Sequence, residues 1–369
     1  MTNHPLPPSS KGQASLSLAA RFRRTLINLA VGLALVLAGL AIGFQLAERL
    51  GRGSVALPTS SVDHAAHGAA LAATDWPAAP VFARGNQELA GHLVEGVREF
   101  QLTARPVRWS ILPTVPVSAY TFNGTVPGPL LRLKPGERVR IRVTNELPEP
   151  TSVHWHGLAI PNDQDGAASI TQPPIPPRQS YVYEWTVPPT PGTYWYHAHY
   201  EPDRQQALGL FGALIIEDPT EQPPEVEAVL ILSEWTVTPA GTLPAMPMSG
   251  MEPNYFTING KSWPETERLR VRVGQRVRLR FINAGQFLHP MHLHGQPFTV
   301  VASDGHPLPT MARLIKDTLL VSPGERYDVE FVARAPGRWL LHCHIAHHTT
   351  NDNREVEGGG GLTLLVEVD

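Results

Sequence analysis

The chain of 369 residues contains a single cysteine, Cys343. No disulfide can close within it, so its stability must come from apolar cores and from any metal it binds. Lys and Arg number 30 against 33 Asp and Glu, a formal net charge of −3, and no basic excess marks a nucleic-acid partner. Beyond residue 45 the apolar runs are short, and no methionine follows Met311. A period of two dominates after position 95, and 37 prolines and 31 glycines punctuate it. That composition argues against a helical chain and reads as all-β. The length leaves room for two domains with substantial cores.

Histidine is what the chain has in quantity. Near the C-terminus runs Leu341-His342-Cys343-His344-Ile345-Ala346-His347-His348. Side chains alternate faces along a strand, so His342 and His344 project to one side and Cys343 to the other. One short strand can therefore feed two metal sites. Three more pairs share the spacing: His154-Trp155-His156, His197-Ala198-His199 and His292-Leu293-His294. With His289 and His348, ten of the 16 histidines fall into this pattern. A solvated metal-scavenging tract would not be flanked by strand formers such as Trp339-Leu340-Leu341, nor would it recur upstream. A lone thiol among imidazoles is a candidate thiolate ligand, and that donor set favours copper.

The N-terminus is organised differently. Arg21-Phe22-Arg23-Arg24 precedes an apolar run from Leu26 to Phe44, near the ~20 residues a spanning helix needs. Residues 1–45 are read as a targeting signal or membrane anchor, and Arg23-Arg24-Thr25-Leu26-Ile27 resembles a twin-arginine export signal. The remaining chain is expected outside the cytoplasm, periplasmic or at the cell surface. Residues 46–92 read as a linker in which His64 and His67 are solvated. Strands are expected at Arg98 to Ala104, Val107 to Leu112, Tyr120 to Phe122 and Arg138 to Val143.

The second half repeats the first. Gly274-Gln275-Arg276-Val277-Arg278 matches Gly136-Glu137-Arg138-Val139-Arg140, and the same shift lays His292-Leu293-His294-Gly295 on His154-Trp155-His156-Gly157. Pro336-Gly337-Arg338-Trp339 aligns with Pro191-Gly192-Thr193-Tyr194, which lays His342-Cys343-His344 on His197-Ala198-His199. Two homologous β-domains follow, 93–218 and 225–369, joined at Asp218 to Pro224, with the strand number of Greek-key sandwiches. Cys343 aligns with Ala198 and His289 with Thr151, so the thiolate site belongs to the second domain alone.

These motifs resemble those of the multicopper oxidases, and with two cupredoxin-like domains the chain looks like the small-laccase branch. The resemblance spans roughly residues 97 to 369. It implies a type 1 copper held by His289, Cys343 and His348, a type 2 copper held by His154 and His292, and a type 3 pair held by His156, His197, His199, His294, His342 and His344. That makes four coppers per chain. It also implies oxidation of a small-molecule or metal-ion donor at type 1, transfer from Cys343 to His342 and His344, and reduction of O2 to water. Asp165 matches an acidic position that handles protons near the cluster, against the plainer reading of Asp165-Gly166 as a turn. A homotrimer is implied, with each cluster shared between chains.

Two positions depart from the family. Thr349 stands where many members have Glu. The usual axial Met falls at Asn353, and if Arg354 to Gly361 is an insertion, Leu362 takes the axial place. Met246, Met248 and Met251 are either a cuprous-ion docking stretch or a loop that packs on the domain. Three other readings compete. A copper nitrite reductase would carry its thiolate in the first domain, where Ala198 stands. A binuclear zinc hydrolase would leave Cys343 without a role. A non-enzymatic envelope copper carrier would not need every cluster ligand.

Overall fold

A computed structural model describes residues 70–72, 75–243 and 252–369. The export segment, His64, His67, Met246, Met248 and Met251 lie outside them. Among the described residues no helix is long and apolar enough to cross a membrane.

Four sheets make up the fold, two in each half. The first half pairs a five-stranded sheet built on Val97–Leu112 and Arg138–Asn145 with a four-stranded sheet of Leu131–Leu133, Phe211–Ile216, Gly192–Ala198 and Val153–His156. Between them Leu102, Tyr120, Ile141, Trp155, Tyr183 and Tyr196 form one buried core. The second half repeats the plan with an eight-stranded sheet around Val226–Thr238 and Arg276–Asn283, and a five-stranded sheet of Leu269–Val271, Thr363–Val368, Gly337–Cys343, His289–Leu293 and Thr318–Val321. Even the parallel pairings recur: Val97 to Thr103 lie alongside Arg138 to Thr144, and Val226 to Leu232 alongside Val277 to Asn283. These are the cupredoxin-like β-sandwiches the repeat led us to expect.

Alternation explains the strands. In Arg138–Asn145 the odd positions Val139, Ile141 and Val143 are buried and the arginines between them turn outward, where Arg140 pairs with Glu99 at 2.6 Å and with Glu184 at 2.8 Å. One expectation needs correcting. The separate strands at Arg98 to Ala104 and Val107 to Leu112 are a single strand, Val97–Leu112, that changes partner midway. It pairs with Arg138–Asn145 as far as Thr103 and with Val115–Phe122 from Ala104 onward. Pro106 sits just past the end of the first pairing, so its missing N–H costs that ladder nothing.

A third apolar layer joins the halves. Trp109, Ile111, Val126, Trp195 and Phe211 from the first pack against Val229, Ile231, Trp235 and Ile282 from the second. Polar contacts reinforce it: Trp109 Nε1 donates to the Gly260 carbonyl at 2.7 Å, and Gln206 Nε2 to that of Ala284 at 2.9 Å. The later part of the stretch expected to be linker is also held down, since Leu71 bridges Thr242, Ala78 bridges Arg108 and Glu88 bridges Leu130. Its Leu71, Trp76 and Leu89 supply the apolar face that packs on the first core.

Candidate metal centres

The His-x-His pairs lie on strands that face one another. His154 stands opposite His197 in the antiparallel pair of Val153–His156 with Gly192–Ala198, and His292 stands opposite His342 in the pair of His289–Leu293 with Gly337–Cys343. Alternation turns Trp155, Met291, Leu293 and Leu341 into the cores and leaves the histidines on the other face. Two four-histidine sets result. In the first, ring centroids lie 5.4 to 6.2 Å apart, with His156 Nδ1 3.3 Å from His197 Nε2. In the second they lie 5.0 to 5.8 Å apart, with His294 Nε2 2.9 Å from His342 Nε2. Among the described residues no ring contact or hydrogen bond joins one set to the other.

Backbone carbonyls orient these rings. A carbonyl only accepts, so the nitrogen facing it carries the proton and the opposite nitrogen keeps its lone pair. His154 Nδ1 lies 2.8 Å from the Asp165 carbonyl and His292 Nδ1 2.9 Å from that of Asp317. His197 and His342 do the same with the next residue, Ala198 at 2.9 Å and Cys343 at 2.8 Å. All four therefore offer Nε2 to a metal. Trp195 stacks on His197 at 4.3 Å and on His156 at 4.9 Å, fixing both planes. Burial, aided by Arg326, drives His156 down to about 3, and burial holds His197, His294 and His342 below the usual imidazole range. Neutral rings are what a metal requires.

The Asp165 carboxylate Oδ1 lies 3.4 Å from His154 Nδ1. More than a turn is involved, because Gly166 has φ +88° and a Cβ there would come within 1.7 Å of the Val153 carbonyl. Only glycine lets this loop lie against the histidine strand. The second set has a counterpart that the sequence did not signal: Asp317, whose Oδ1 is 3.9 Å from His292 Nδ1. Its spacing from the histidine pair differs from that of Asp165, so the repeat gives no cue to it.

The thiolate site faces the other way, into the second core. His289, Cys343 and His348 are all buried and offer ligand atoms within 4.8 Å of one another. His289 Nδ1 lies 3.1 Å from His348 Nδ1, and Cys343 Sγ lies 3.5 Å from the latter. Phe256 stacks on the His348 ring at 4.2 Å. Burial pushes the Cys343 thiol up to about 12 and His348 down to about 3. One soft sulfur and two imidazoles, shielded from water, are a donor set that fits copper. Leu362 is fully buried in the same core, its carbonyl accepting from the Cys343 N–H at 3.0 Å. Asn353 is exposed, its Oδ1 2.7 Å from His347 Nε2. Thr349 Oγ1 donates to the Ala346 carbonyl at 2.9 Å and so caps its own turn.

The chain resembles known proteins. Two family models described as multicopper oxidase match residues 103–221 and 237–353. The chain is similar to the multicopper oxidase MmcO of Mycobacterium tuberculosis, with 34% identity over 63% of this chain and 51% of that protein. It is also similar to a copper resistance protein A homolog of Pseudomonas syringae pv. tomato, with 30% identity over 68% of this chain and 50% of that one. The chain thus spans about half the length of the curated relatives it matches. Among solved structures, the blue copper oxidase from Nitrosomonas europaea superposes with a TM-score of 0.68 at 34% identity, covering 74% of this chain and 86% of that one. Two repeated sandwiches, a histidine set on each and a thiolate in the second agree with these likenesses, and the chain belongs to the multicopper oxidase family in its two-domain form.

Proposed function

We propose that the protein is a laccase-like oxidase that takes single electrons from a small-molecule or metal-ion donor and passes them to O2. The observation that supports this most directly is the shared strand: Cys343 turns into one site while His342 and His344, its immediate neighbours, turn into another. Copper, when bound, supplies one-electron exchange at the thiolate site and four-electron reduction of O2 to water at the histidine cluster.

The chain's own residues do the rest. His289, Cys343 and His348 would hold type 1 copper, His154 and His292 type 2, and His156, His197, His199, His294, His342 and His344 the type 3 pair. Cys343 must shed a proton that burial alone would keep on it, so ligation and deprotonation are coupled. His342 Nδ1 bonds to the Cys343 carbonyl, giving the electron a route through bonds from thiolate to cluster. Asp165 and Asp317, beside His154 and His292, are placed to hold protons for the water that forms. Burial of Leu362 behind Cys343 supports it, rather than Asn353, as the axial neighbour of the type 1 metal.

The domain bounds 93–218 and 225–369, export through residues 1–45 and a homotrimer belong to the same proposal. The separation of the two histidine sets supports the trimer, since one cluster needs both. Oxygen uptake by the copper-loaded protein, measured with a phenolic donor and with Cu(I), tests the activity. Uptake with neither would leave a copper carrier, and the metal content should be four coppers per chain.

A further inference from the structure

Glu234, on the strand Val226–Thr238, has a side chain only 7% exposed. Its Oε1 accepts from the backbone N–H of Gln286. Its Oε2 has no hydrogen-bond partner among the described residues, and the same is true of the buried Nε2 of His289. These two atoms face each other at 3.6 Å. A buried carboxylate oxygen without a partner is costly, and so is a buried imidazole N–H. His289 turns Nδ1 toward His348 and the thiol, and a neutral imidazole that ligates through Nδ1 must carry its proton on Nε2. Oε2 is the acceptor that proton requires.

The surroundings are built for the carboxylate. A Cβ at Gly285 would lie 1.9 Å from Oε2, so no other residue fits there without displacing it. The internal repeat provides a control. Val226 pairs with Val277 as Arg98 pairs with Val139, which sets Glu234 against Pro106 in the first half. His289 likewise corresponds to Thr151, whose Oγ1 bonds to Gln205 at 2.8 Å. Carboxylate and imidazole therefore occur together in the half with the thiolate, and neither occurs at the matching positions of the other half.

We propose that Glu234 is a positioning residue for the thiolate copper site: it takes the Nε2–H of His289, fixes that ring's tautomer, and through its charge favours the oxidised metal. This rests on the copper reading above. Glu234→Gln keeps an acceptor for Gln286 and removes the charge. In the copper-loaded full chain it should raise the type 1 potential by about a tenfold change in the Cu(I) to Cu(II) ratio, ~59 mV for one electron. Copper affinity at that site, measured by chelator competition, should fall about 10- to 100-fold. If Glu234→Gln does not accumulate folded, Glu234→Asp replaces it, since retraction by one methylene must also raise the potential. A lowered melting temperature with an unchanged potential would reduce Glu234 to a loop brace and overturn the proposal. A wild-type protein without the blue absorption would overturn the copper reading, and this inference with it.

Discussion

His342 Nδ1 and the carbonyl oxygen of Cys343 lie 2.8 Å apart, so the thiolate-bearing residue is hydrogen-bonded to a histidine of the neighbouring cluster as well as joined to it through the backbone. The two sites are thus linked by one residue yet open on opposite faces of the strand. Cys343→Ser should therefore separate their functions. The thiolate absorption and steady-state oxidase activity are expected to vanish, while the histidine sets, whose rings are oriented by carbonyls that the change leaves in place, still take up metal. Retention of the blue band in Cys343→Ser would show that the thiolate assignment is wrong.

Leu362→Met tests the axial position. Leu362 is fully buried, and its N–H donates to the His348 carbonyl at 2.9 Å while its own carbonyl accepts from Cys343. The backbone is thereby fixed, and a Leu-to-Met exchange of similar volume should cost less than about 1.5 kcal/mol. A thioether donor should lower the type 1 potential relative to the wild type, because a weak or absent axial ligand favours Cu(I). A redox titration that finds no change would remove Leu362 from the site.

Asp328 carries one of the polar connections between the halves. It accepts from Thr193 Oγ1 of the first half at 2.5 Å and from Arg280 Nη1 at 2.5 Å. Burial raises its carboxyl above the usual range, with Arg280 and Thr193 opposing that shift. Asp328→Ala would leave a buried guanidinium without its near partner, and we expect a loss of about 3 to 5 kcal/mol in chemical denaturation. Arg280 Nε also donates to Glu227 Oε1 at 2.7 Å, and a loss under 1 kcal/mol, about the worth of an exposed ion pair, would mean that Glu227 alone satisfies Arg280.

Much of this was legible in the sequence because strands alternate. A period of two and a repeated histidine pair suffice to place the eight paired histidines on one face and Cys343 on the other, and the internal repeat gives the plan of the second sandwich once the first is read. Glu234 and Asp317 were not legible. Each reaches its histidine from a distant segment, 55 and 25 residues away by number (289 − 234 and 317 − 292), and such proximity is set by packing rather than by local pattern. The sequence pattern suggests two strands where Val97–Leu112 is one, because its pairing partner changes midway, a feature of the sheet that Pro106 alone hints at.

Lys261 should leave a signature in the pH dependence of stability. Its ammonium donates to the Ser110 carbonyl at 2.6 Å and that of Val81 at 3.1 Å, and lies 4.2 Å over the Trp109 ring. Burial brings it down to about 8 from 10.5, Arg84 adding to the shift and Glu265 opposing it. Below pH 8 both folded and unfolded chains hold the proton, and above 10.5 neither does. Between those limits only the unfolded chain binds it, so this group makes stability rise with pH across the window. Lys261→Met should remove that slope from the variant, so that it appears in the wild-type-minus-variant difference, and cost about 1 to 3 kcal/mol for two orphaned carbonyls. A difference that stays flat with pH would contradict the assignment.

The proposed trimer rests on where the histidines stand. A trinuclear cluster needs ligands from both halves, yet within the described residues no ring contact or hydrogen bond joins the two sets. Reorienting the halves inside one chain would break the buried layer of Trp109, Trp195, Trp235 and Ile282. It would also free a linker that Arg276 Nη2 pins by donating to the carbonyls of Gln222 at 2.6 Å and Pro223 at 2.9 Å. Bringing a second copy to each set avoids both costs. Heterologous contacts between first and second halves close into a ring when the rotation allows, and the proposal is that the ring closes after three chains, with one shared cluster at every interface. Assembly and activity should then be inseparable. His154→Ala and His342→Ala proteins, each inactive alone, should regain part of the activity when refolded together with copper, because some interfaces then receive two intact sets. Light scattering on the active species should give three times the chain mass, and a fully active monomer would exclude the shared cluster.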